Sequence, residues 1–169
     1  MSGVRTSGGW SSNRVVAEPV AVPRSALSRR ILIVEDSPSA RKLLQALLLR
    51  LGVTLPNLRM AANSSEALQL FTAWQPEIAF VDLQLRGGPS APSDGADETK
   101  NGADLAVEFL KRNPSLKVII CSASEPEPGV LDPFFKAGRA HAMVKPVLAS
   151  KVADMLTRVS GPGASTRSG

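Results

Sequence analysis

Three short stretches of the chain are apolar without interruption: Ile31–Val34, Ile78–Val81 and Val118–Cys121. A strand with one solvated face alternates apolar and polar side chains, so a β-branched run with no alternation marks a strand covered on both faces. The segments between these runs have a helical period. Ser37-Pro38 opens a helix with Leu43, Leu44, Leu47, Leu48 and Leu51 on its apolar face, and Gly52 stops it. Leu58–Ala62 reads as a weaker strand, and Ser64 or Ser65 as the cap of a helix running through Trp74. Ala103–Arg112 is a further helix and Phe134–Ala137 part of a short one. Ala142–Val144 is a strand ending at Lys145-Pro146, and Leu148–Val159 is the last helix. Strand and helix alternate through five such units, which predicts an α/β fold with a doubly wound parallel sheet.

Charge narrows the function classes. The 169 residues carry a net charge of +5 and a pI near 9.9, values that on their own point to nucleic acid or a membrane surface. The excess is not in the body. Residues 1–30 hold five arginines and Glu18, residues 161–169 hold Arg167, and residues 31–160 hold 14 basic against 14 acidic side chains. Residues 1–29 are rich in Ser, Gly, Pro and Arg and read as a disordered basic arm, 30–159 as the folded domain, and 160–169 as a flexible tail. One cysteine, Cys121, excludes an internal disulfide framework, and one histidine, His141, excludes a His-rich metal cluster. Cys121 is expected to be a buried small hydrophobe and His141 a surface residue at a strand entry. No apolar run approaches the roughly 18 residues of a membrane span, and residues 1–30 lack the apolar core of a signal peptide, so a cytoplasmic domain is expected.

In an open α/β sheet the reactive crevice lies outside the carboxyl ends of the strands. Glu35 and Asp36 follow the first strand, Asp82 ends the third, Ser122 the fourth and Lys145 the fifth. Crowded carboxylates repel each other unless a cation sits among them, and a hard ion such as Mg²⁺ takes oxygen ligands. A carboxylate can attack a phosphoryl group, a lysine can pair with phosphate oxygens, and a hydroxyl can donate to another.

The segments ILIVEDSPSARKLL, FVDLQL, VIICSAS and MVKP, in that order and each at a strand end, resemble the CheY-like receiver domain of two-component response regulators. The resemblance implies a flavodoxin-like (βα)5 fold with strand order 2-1-3-4-5. It implies Asp82 as phosphoacceptor and Glu35, Asp36, Asp82 and the Gln84 backbone carbonyl as Mg²⁺ ligands. It further implies Ser122 as switch hydroxyl, Lys145 as the phosphate-pairing lysine, and a cis bond between Lys145 and Pro146. The implied role is a stand-alone receiver that takes a phosphoryl group from a histidine kinase or histidine phosphotransfer protein and signals to a downstream protein target. It would have no DNA-binding domain and no membrane segment. Such a domain is no enzyme in the ordinary sense; it phosphorylates and dephosphorylates itself with Mg²⁺.

Three features depart from the family pattern. The aromatic switch position three residues before the lysine is Ala142, and the chain has no tyrosine. The loop Arg86–Asn101 is long and rich in Gly, Pro, Ser and Asp beside the site. Pro126, Pro128, Gly129 and Pro133 spoil the helix expected after the fourth strand, which should start late, at Asp132-Pro133 with Asp132 as cap, or be largely irregular. The loop is read as a tolerated surface insertion, or alternatively as a lid or partner-specificity loop, while Ala142 and the spoiled helix support an alternative, a pseudo-receiver acting as a phosphorylation-independent binding module. A P-loop NTPase is excluded because no G-x-x-x-x-G-K-[ST] segment exists, and Asp82-Leu83-Gln84 lacks the second Asp of an Asp-based phosphohydrolase.

Overall fold

The computed structural model describes residues 21–85, 101–126 and 129–161. Strands β1 (Ile31–Val34), β2 (Leu58–Ala61), β3 (Ile78–Asp82), β4 (Lys117–Ser122) and β5 (Ala140–Val144) form one parallel sheet in the order β2-β1-β3-β4-β5. Every residue of β1 and β3 is buried, as uninterrupted apolar runs require. The edge strands β2 and β5 admit half-buried positions instead. The α-helices are α1 (Arg24–Leu27), α2 (Pro38–Arg50), α3 (Ser64–Trp74), α4 (Gly102–Arg112), α5 (Asp132–Lys136) and α6 (Ala149–Ser160).

Alternate strand residues supply two cores. Ile31, Ile33, Phe80, Ile119 and Met143 pack with Leu44 and Leu48 of α2 and Val152 and Leu156 of α6. Leu32, Val34, Val81, Val118 and Ile120 pack on the other face with Phe71 of α3 and Leu105 and Phe109 of α4. Phe71 and Phe109 stack across that layer with ring centroids 4.4 Å apart. Among the described residues no helix is long and apolar enough to cross a membrane.

Several local expectations are corrected. The arm was expected to run unstructured to residue 29, but α1 is helical and Ala26 is fully buried in the core formed with α2 and α6. Packed structure thus begins before residue 30, while residues 1–20 lie outside the described residues, as do 86–100 and the tail from 162. Asn63, not Ser64 or Ser65, caps α3: its side chain accepts from the Glu66 N–H, and the Glu66 carboxylate accepts from the Ala62 N–H at 2.7 Å. Leu131 occupies the cap position of α5, so Asp132 is no cap; it stands in the first turn, where an acid suits the helix dipole, and pairs with Lys136 at 2.9 Å. Leu43 is half exposed, because the buried stripe of α2 is only as wide as Leu44 and Leu48. Gly52 ends α2 with φ +107°, a conformation suited to glycine.

The balanced charge of the body is polarised by the fold. Helices return antiparallel to the strands, so helix carboxyl ends share a rim with strand starts. That rim carries Arg50, Lys111, Arg112, Lys136 and Arg158 in the last turns of helices, and Lys117 and Arg139 at or just before the starts of β4 and β5. The opposite rim carries Glu66, Asp104 and Asp132 in the first turns of helices and the acids that follow β1 and end β3. These helix-end charges lie where the dipoles favour them, whereas Arg41 and Lys151, in the first turns of α2 and α6, do not.

His141 in β5 is half-buried rather than a surface residue, and its Nε2 has no hydrogen-bond partner. Burial depresses its pKa, outweighing a hydrogen bond to the Gly138 backbone, and the charges of Lys117 and Arg158 push the same way as burial. A depressed histidine contributes stability above its unfolded value and loses it as the pH falls. Wild type should therefore lose stability relative to His141→Gln as the pH drops below 6.5, measured by denaturant melts of both proteins; parallel pH profiles would contradict this.

Gly102 starts α4 directly against the backbone of β3. A Cβ there would lie 1.9 Å from the Asp82 carbonyl oxygen and 2.9 Å from the Leu83 Cα. Helix propensity alone favours Ala over Gly by roughly 1 kcal/mol. The collision reverses that sign, and Gly102→Ala should destabilise the fold by about 1–3 kcal/mol in urea unfolding.

Candidate functional site

The strand order reverses beside β1: the chain passes from β1 to β2 on one side and returns to β3 on the other. The crevice at such a switch point opens where β1 and β3 end. Both strands deliver carboxylates there. The Glu35 N–H still donates to Ala61 O at 3.1 Å, prolonging the β1–β2 ladder and fixing Glu35 in a buried position. Asp82 is the last residue of β3 and is 5 % exposed. Carboxylate oxygens of Glu35, Asp36 and Asp82 lie within 4.8 Å of one another. They line an open hollow of about 520 Å³ together with Ser37, Gln84 and Lys145.

Lys145 holds this cluster together. Its Nζ lies 3.2 Å from Glu35 Oε2 and 3.2 Å from Asp82 Oδ2. Its own N–H donates to Ser122 O at 2.7 Å, which carries the β4–β5 pairing to the rim, and the Lys145–Pro146 peptide is cis. Burial alone would lower the Lys145 pKa, but the Asp82 and Glu35 carboxylates outweigh it and hold the ammonium above its ordinary range. Glu35 shows the opposite side of the balance. Burial, and then the Asp82 charge, raise its carboxyl above the usual value despite the Ser37 N–H and Lys145. Glu35 thus stays raised even with the Lys145 ammonium 3.2 Å away, burial being the larger cause.

The other oxygen of Asp82, Oδ1, accepts from the Gln84 N–H at 3.1 Å. The Leu83 N–H donates to Cys121 O at 2.9 Å, tying the turn after β3 to β4. Cys121 is buried, and burial pushes its thiol up to about 12, so it is a core residue and no nucleophile.

The chemistry of the donor set fits a hard divalent cation. All three side chains offer oxygen, the cluster is open to solvent on one side, and Gln84 stands at its edge. Ser122 is not part of this hollow. It is buried at the end of β4, its Oγ accepts from the Ser124 N–H at 3.4 Å, and it lines a neighbouring hollow with Leu83, Ala103, Ser124 and Leu131. Ala142 pairs in register with Ile120 and is half-buried on β5.

Two residues at the site escaped sequence reasoning. Gly102 sets the approach of α4 to Asp82, and its only signal was a glycine opening a helix after a long loop. Arg41 donates from Nη1 to the Glu35 carbonyl at 2.6 Å. Its only signal was a cation near the helix end that favours anions.

Comparison with known proteins agrees with this architecture. A family model described as the response regulator receiver domain matches residues 31–157. The chemotaxis protein CheY of Thermotoga maritima is 28 % identical over 134 residues, covering 79 % of this chain and 99 % of that protein. The positive alginate biosynthesis regulatory protein of Pseudomonas aeruginosa is also 28 % identical, over 136 residues, but the match covers only 47 % of its length. Among solved structures, the response regulator TrrA of Thermotoga maritima, in complex with Mg²⁺–BeF, superimposes with a TM-score of 0.58 at 22 % identity, covering 78 % of this chain and 98 % of that one. That similarity bears on the fold. The family match spans the sheet from the first residue of β1 into α6, and the chain belongs to the response regulator receiver domain family of two-component signalling.

Proposed function

We propose that this chain acts as a receiver whose Asp82 accepts a phosphoryl group from a phosphohistidine of a histidine kinase or phosphotransfer protein. The observation that carries this reading is the placement of Asp82: a buried carboxylate with one oxygen on a backbone N–H, the other 3.2 Å from Lys145, and two further acids beside it. In the transfer, a carboxylate oxygen of Asp82 attacks phosphorus, the bond from phosphorus to the donor imidazole nitrogen breaks, and that nitrogen keeps the electron pair. Lys145 follows the charge as it moves onto the phosphoryl oxygens, and Ser122, whose hydroxyl hydrogen is free to turn, donates to one of them. Glu35, Asp36, Asp82 and the Gln84 carbonyl would hold Mg²⁺, which when bound neutralises the acids and the incoming phosphoryl charge.

The domain acts as acceptor and timer rather than as a conventional enzyme. Its output is contact with a downstream protein in the cytoplasm. Gln84 and Ser124, which flank the phosphoryl position, are exposed and non-acidic.

The pseudo-receiver reading has support in particular observations. α5 is a single five-residue turn of helix, Ala142 gives the switch position no ring to move, and the Ser122 hydroxyl sits on Ser124 in the neighbouring hollow. Incubation with Mg²⁺ and acetyl phosphate, read by intact mass, separates the two. A gain of one phosphoryl group in wild type, absent in Asp82→Asn and after chelation of Mg²⁺, is the expected result. Lys145→Ala should accumulate phosphoryl at least about tenfold more slowly, a loss of roughly 1.4 kcal/mol of transition-state stabilisation. No gain with acetyl phosphate or with any kinase tested would favour the binding module.

A further inference from the structure

Arg41 closes the first turn of α2, where its N–H donates to Ser37 O at 2.9 Å. A cation is electrostatically misplaced there, since that helix end favours anions. Its side chain turns back past the cap to the acidic pair. Nη1 donates to Glu35 O at 2.6 Å and reaches Asp36 O at 3.5 Å. These carbonyls belong to the turn between β1 and α2, past the last ladder hydrogen bond, which the Glu35 N–H donates to Ala61 O. Two other ties act on the same turn: the Ser37 N–H donates to Glu35 Oε1 at 3.2 Å, and the Ser37 hydroxyl accepts from the Ala40 N–H at 3.4 Å. Arg41 alone among these grips main-chain carbonyls of the acids themselves.

Rotation of the Glu35–Asp36 or Asp36–Ser37 peptide would swing the Asp36 carboxylate away from Asp82. Like charge drives that rotation, because Glu35, Asp36 and Asp82 crowd within 4.8 Å. A guanidinium on the two carbonyls opposes it, and places a positive charge behind the pair without occupying the carboxylate oxygens. We propose that Arg41 is a positioning residue for the cation site: it fixes the turn that aims Glu35 and Asp36 at Asp82, and so sets the affinity for Mg²⁺. This rests on the reading of the acidic cluster as a cation site.

The test is calorimetric titration of the full chain with Mg²⁺ alone, with the metal-free melting temperature measured alongside so that only folded protein is compared. Arg41→Met keeps the apolar stem and loses the donor; Arg41→Gln keeps a shorter neutral donor. Both should bind Mg²⁺ about tenfold or more weakly, as removal of a group that orients metal ligands does. Arg41→Lys, which restores a cationic donor, should bind more tightly than either. Lys42→Met removes the same charge from the exposed neighbouring position and should bind like wild type. Wild-type affinity in either folded neutral variant of Arg41 would overturn the inference, and so would an equal loss in Lys42→Met, which would reduce the effect to net charge. If wild type itself binds no Mg²⁺, the cation-site reading fails together with this inference, whereas a failure confined to the Arg41 variants leaves that reading standing.

Discussion

Carboxylate oxygens of Glu35, Asp36 and Asp82 crowd within 4.8 Å of one another where β1 and β3 end, and much of the structure serves to hold them there. Lys145 bridges Glu35 and Asp82 at equal distances of 3.2 Å. Its charge is strengthened by the acids, yet Glu35 is still pushed toward protonation by burial and by Asp82. Oxygen donors crowded in this way suit a hard divalent cation, whose charge offsets their mutual repulsion.

Holding repelling groups in place requires a rigid support, and the sheet supplies it. β1 and β3 are buried along their whole length, so neither can yield at its end. Gly102 lets α4 sit directly against the Asp82 backbone, and the Leu83 N–H ties the next turn to β4. Arg41 grips the turn that carries the other two acids. The support is firmest around Asp82 and loosens toward β5, where α5 is one short turn and Ala142 is small.

The legible parts of the chain were those where one physical pattern dominates. Unbroken β-branched runs announced β1, β3 and β4, and residues at their ends announced the rim. Capping details were less legible because several polar residues compete at each helix start: the Asn63 side chain, not Ser64 or Ser65, accepts from the Glu66 N–H while the Glu66 carboxylate accepts from the Ala62 N–H, and Leu131 took the position assigned to Asp132. The docking of α1 was hidden because one buried alanine within an Arg- and Ser-rich stretch has no periodicity. Gly102 and Arg41 act through backbone atoms, which side-chain patterns do not report. Net charge misled in a related way. The excess does lie in the chain ends, but the balanced body is itself split into a basic and an acidic rim by the direction of its helices.

The central proposal is that the cluster of Glu35, Asp36 and Asp82 takes up a divalent cation. Thermal melts of wild type and Asp82→Asn, with increasing Mg²⁺ and with NaCl at matched ionic strength, test it most directly. Ligand binding to the folded state alone raises the melting temperature in proportion to the logarithm of ligand concentration once the site is saturated. Wild type should show that rise with Mg²⁺ beyond any effect of NaCl, and Asp82→Asn should lose most of it. A wild-type melting temperature that responds to Mg²⁺ no more than to matched NaCl would contradict the account.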